Sequence, residues 1–154
     1  MSHRILIGNI ATILRADTGV GSLVALTKHN TTKKILRIAR DSPDVKGMVP
    51  FLGIFLQQSV AVQPDVTRLQ VARIHFRCYS SDEMVSVDIA DRMESLLKQD
   101  DTDTERTYLN FTGNGVKNLS TLLRPRTGAR FDDDTDIWLS SVQADVYWID
   151  ATCP

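Results

Sequence analysis

Arg124, Arg126 and Arg130 fall within a short span, and Arg73, His75 and Arg77 stand at alternate positions earlier in the chain. Guanidinium groups make two-pronged hydrogen bonds to carboxylates and phosphates, so these six residues are the candidates for contact with a partner. The plainer reading is a solvated strand face and a solvated loop. Asp132, Asp134 and Asp136 also alternate, as carboxylates that converge on a hard cation do. The likeness to a calcium loop stops there, because Ile137 stands where that loop needs Gly and Gln143 where it needs a bidentate Glu. An acidic turn leading into a strand is the simpler account, with a small cation-dependent enzyme built on these carboxylates as the alternative.

Other reactive groups do not assemble. His75 and Cys78 are three apart in a strand-like stretch, which sends them to opposite faces, and Cys78 reads as core. His3 and His29 lie far off in sequence, so no triad or metal set is indicated. Gly19-Val20-Gly21 and Gly113-Asn114-Gly115 lack the Lys-Ser/Thr ending of a phosphate loop and read as turns. The pattern favours a binding or structural module without a cofactor over an enzyme.

The elements that must hold these residues centre on Arg68 to Lys98. Ala72, Ile74, Phe76 and Cys78 alternate with Arg73, His75, Arg77 and Tyr79, predicting a half-buried strand with a basic face. Ser80-Ser81-Asp82-Glu83 then has the form of a capping box with Ser80 as its hydroxyl. Val85, Ile89, Met93, Leu96 and Leu97 follow at helical spacing, until Gln99 to Asp103 ends the pattern in a polar loop. Upstream, Leu6, Ile10, Ile13 and Leu14 predict a helix from Ser2 to about Arg15. Ser22 is placed to cap a short turn holding Leu23, Val24 and Leu26, and His29 to Lys34 reads as a loop. Ile35, Leu36 and Ile38 suggest a brief extended segment. Phe51 to Leu56 suits a buried strand, joined to the Arg68 strand as an antiparallel hairpin by a long connection containing Pro64-Asp65.

Downstream, Thr107 to Phe111 is a short candidate strand, and Asn118 to Arg130 has neither period and reads as a basic loop. Trp138, Val142, Ala144, Val146 and Trp148 share one parity of a long final strand, which places both tryptophans in the core. The fold class that follows is α+β: a mainly antiparallel sheet of about four strands with two helices packed on one face. The expected organisation is a single domain over 1–154 with a long loop insertion at about 112–136.

Composition agrees with that outline. The 154 residues are 42% hydrophobic and 24% charged, ordinary for a soluble domain, and the net charge of -1 excludes binding to nucleic acid through bulk charge. Cys78 and Cys153 are too few for a disulfide framework, so a reducing compartment fits. Neither a secretory signal nor an apolar run of membrane-spanning length is present, and no membrane association is expected.

The layout as a whole resembles the tail terminator, or tail completion, proteins of long-tailed bacteriophages. The likeness is carried by the N-terminal helix, Gly19-Val20-Gly21-Ser22-Leu23-Val24-Ala25-Leu26, the Ile35 to Pro43 segment, and Val49-Pro50-Phe51 before a strand. The Arg68 to Tyr79 strand and the helix containing Ile89-Ala90-Asp91 complete it. The resemblance implies a virion structural protein, not an enzyme, assembled as a homo-oligomeric ring, typically hexameric, at the head-proximal end of the tail. Its implied partners are the tail tube protein and a head-tail connector or adaptor, with DNA passing through the lumen without sequence-specific binding. It also implies that the loops Lys28 to Lys34 and Asn114 to Asp136 reach neighbouring proteins. A neck protein joining tail to head shares this architecture and is the nearest alternative, and a monomeric adaptor whose loops order on docking is another.

Overall fold

Alternation of apolar and polar residues divides a pleated strand into two faces, and the longest alternating run here becomes the middle of a sheet. The computed structural model describes residues 2–17, 19, 22, 35–37, 49–63, 66–97, 112–113 and 116–150. In chain order its elements are α1 (Ser2–Ala16), β1 (Ile35–Arg37), β2 (Phe51–Gln63), β3 (Val66–Ser80), α2 (Glu83–Leu97), β4 (Thr112–Gly113), β5 (Val116–Leu123), β6 (Thr127–Asp132) and β7 (Ile137–Asp150). The strands form one seven-stranded sheet in the order β1-β2-β3-β7-β5-β4, with β6 also paired to β7. Among the described residues only the β1–β2 pairing is parallel; the others are antiparallel.

The α+β class and the two helices on one face are as the sequence indicates. Ala72, Ile74, Phe76 and Cys78 of β3 and Val142, Ala144, Val146 and Trp148 of β7 are fully buried. They pack against Leu6, Ile10 and Leu14 of α1 and Ile89, Ala90 and Met93 of α2. This defines an inner face under the helices and an outer face without them. At the end of α1, Asp17 is buried and takes two hydrogen bonds from Arg92 of α2, at 3.2 and 2.8 Å. Arg92 passes so close to Gly19 that a Cβ there would lie 2.4 Å from its Nε.

Several expectations are corrected. Among the described residues the sheet has seven strands, not about four, because three short strands and β5 join it. The region expected to be a loop insertion carries β5 and β6, which run one after the other antiparallel to β7. The β2–β3 hairpin is longer and its connection shorter than expected, since pairing continues to Gln63 and Val66. The helix cap sits two residues later than the capping box implied: Asp82 Oδ1 accepts from the Met84 and Val85 amides, while Ser80 Oγ accepts from the Asp82 amide. Ser22 lies in helical conformation and its hydroxyl donates back to the Gly19 carbonyl at 2.9 Å.

Two aromatic assignments also change. Tyr79 is buried, stacked on Phe51 with centroids 4.5 Å apart, and forms with Ile137 a small second apolar cluster. Trp138 is only half-buried and packs on Phe131 at 5.1 Å, because alternation slips at the start of β7, where Ile137 and Ser140 are both buried. The expected turn at Leu23 to Leu26, the loops at His29 to Lys34 and Gln99 to Asp103, the Pro64-Asp65 turn, the Asn114-Gly115 turn, the Thr107 to Phe111 strand and Cys153 lie outside the described residues.

Candidate functional site

Pro125 has no amide hydrogen to give to a ladder, and it sits where β5 gives way to β6. Pairing with β7 stops at Leu123↔Ala144 and resumes at Thr127↔Ser141, with only the Arg124 amide donating to the Gln143 carbonyl between them, at 2.9 Å. In a regular strand Arg124 and Arg126 would share a face. The break sends them to opposite faces. Arg126 turns under the sheet to α2, where it pairs with Asp91 and, at 3.2 Å, with Glu94. Arg124 turns to the outer face and reaches Asp145 of β7, with Nε at 2.9 Å and Nη2 at 2.7 Å from Oδ2.

Asp145 is the centre of that outer face. It lies in register opposite Arg73, whose Nε donates to its other oxygen at 3.2 Å. Burial alone would raise the Asp145 carboxyl. The hydrogen bonds from Arg124 and Arg73, with their charges, outweigh that and hold it below the usual carboxylate range. The same contact raises Arg124. Two guanidinium groups on one carboxylate leave a surplus of one positive charge. The three side chains, with Gln58, Val60, Val71 and Tyr147, line a half-open cleft of about 270 Å³.

Along β3 from this cleft the basic residues find other uses. His75 is half-buried and tilted against Phe55 of β2, and the Arg77 guanidinium lies 5.1 Å from the centre of the same Phe55 ring, a cation–π contact. The six sequence candidates are therefore dispersed. Arg73 and Arg124 share one carboxylate, His75 and Arg77 share Phe55, Arg126 braces α2, and Arg130 is exposed on β6. Sequence reasoning missed Asp145, which reads as one more polar residue of β7; only the register of β3 on β7 sets it opposite Arg73.

The acidic run is a turn. Asp132 Oδ1 accepts from the Asp134 amide at 3.1 Å, and Asp136 adopts φ 54°, which Asp tolerates better than most residues. Among the described residues no three His, Cys, Asp or Glu side chains converge as metal ligands. Cys78 is sealed in the core, and burial pushes its thiol far up against the opposing pull of the Arg126 charge. No described helix is long and apolar enough to cross a membrane.

No protein-family model matches the chain, and no curated protein matches it. Among solved structures it is similar to a chain of the virion of a native gene transfer agent particle. The TM-score is 0.56 over 90% of each chain, at 11% sequence identity. A likeness at that identity is a likeness of fold.

Proposed function

We propose that the chain is a virion structural protein that acts as a closed homo-oligomeric ring at the head-proximal end of a phage-type tail, ending the tube and joining it to the head connector. The observation that carries this reading is the similarity of fold to a virion chain along nearly the whole of both chains. It agrees with the element order that resembles tail terminators, and the reading of terminator over neck protein rests on that resemblance. The disposition of reactive groups supports a structural role: Arg73, Arg124 and Arg126 are held in ion pairs, and Cys78 is buried. In this reading DNA crosses the lumen without base contacts. Partner contacts fall on the outer sheet face, which the helices leave uncovered.

Native mass across a concentration series, with and without chelator, tests the reading. A discrete oligomer of fixed copy number that chelator leaves unchanged is the expected result. A monomer at all concentrations, with a melting temperature that rises on adding divalent cation, would favour a cation-dependent enzyme and overturn it.

A further inference from the structure

The molecule carries two exposed surfaces of opposite character that cannot meet within one chain. The first is the cleft around Asp145. Its surplus positive charge comes from Arg73 and Arg124, and among the described residues both keep guanidinium nitrogens without a partner. Its margin is apolar and exposed: Val60 is 45% and Leu122 56% accessible. The second is the tip of the β6–β7 hairpin. Asp132, Asp133, Asp134 and Asp136 are all exposed there, and Phe131 beside them is 41% accessible. Arg130, on the same hairpin, offsets one of the four negative charges and leaves the tip negative. Asp136 is the turn residue immediately before β7 and Asp145 lies on β7 nine residues further on, which at the rise of an extended chain separates tip from cleft by roughly 30 Å.

We infer that the acidic hairpin tip of one copy docks in the Arg73–Asp145–Arg124 cleft of the next. The match is twofold, acid and aromatic on the tip against base and aliphatic in the cleft. Two different surfaces meeting head to tail make a heterologous contact, which closes into a ring when the rotation allows. The inference rests on the ring reading and adds which surfaces form its joint. The charged rim steers encounter and registers the contact, so assembly weakens with salt.

Two variants test it. Asp133→Lys/Asp134→Lys alters two exposed turn residues and is expected to keep the wild-type melting temperature while raising the half-assembly concentration about tenfold or more. Arg124→Gln opens the cleft side and is checked for folding by circular dichroism. Each variant alone is expected to be monomeric where the wild type is assembled. Their equimolar mixture retains one intact tip and one intact cleft per pair, and is expected to give a one-to-one dimer that goes no further.

A wild-type ring that the tip variant leaves unchanged would overturn this joint while leaving the ring reading in place. So would loss of assembly in the cleft variant alone, because the cleft would then hold another part of the neighbour. Should Arg124→Gln not fold, the tip variant and the salt dependence decide by themselves. A wild type that stays monomeric overturns both the joint and the ring.

Discussion

Asp145 shows how one carboxylate organises a surface. Its folded pKa is depressed, so it contributes stability that is present above the unfolded value and is lost as pH falls through the folded one. Asp145→Asn should therefore lower the melting temperature near neutral pH, and the gap to wild type should close below about pH 4. A gap that stays constant from pH 7 to pH 2 would deny the ionic contact any role. Cys78 makes the opposite case. A thiol sealed against Phe76 and the helices, with its ionisation opposed by burial, should not react with a water-soluble disulfide reagent until the protein unfolds. Measured in a Cys153→Ser background, Cys78 should be modified at the rate of unfolding, and prompt labelling of the folded protein would contradict its placement. Arg92→Ala, which leaves the buried Asp17 carboxylate without its guanidinium, should cost about 1–3 kcal/mol in denaturant titration.

The elements differ in how legible they are. β3, α2 and the body of β7 could be read from the sequence because each keeps one period over its length and buries one face against a common core. The boundaries of α1 were equally plain, since Leu6, Ile10 and Leu14 repeat without interruption. β5 was not legible. A register shift between Asn118 and Ser120 moves its buried set from Val116 to Thr121, an odd step, while Leu122 is left exposed. Apolar residues then follow neither period. The site was obscured for the same reason: the Pro125 break separates Arg124 from Arg126, a separation that no spacing rule encodes. A smaller correction is quantitative. Because Asp82 holds the free amides of α2, Asp82→Ala should destabilise the fold by about 0.5–2 kcal/mol, whereas the capping box would have put that loss on Ser80. Chemical denaturation of both variants separates the two assignments, although Ser80 is itself buried and bonded to the Asp82 amide.

At the scale of the molecule, among the described residues the two helices cover one side of the sheet, and the other carries paired charges, exposed valines and a half-open cleft. Such a face suits lateral contact with like subunits, which is the contact that the proposed ring requires. Among the described residues Arg73, Arg124 and Arg126 hold carboxylates, Arg77 lies over an aromatic ring, and the buried Cys78 thiol fills space in the core. The central claim is that copies of this chain close on themselves around a hole. Negative-stain electron microscopy of the largest species, isolated at low salt, addresses it most directly. Uniform closed rings with a central opening are the predicted result, while particles without an opening, or open filaments of variable length, would contradict the account.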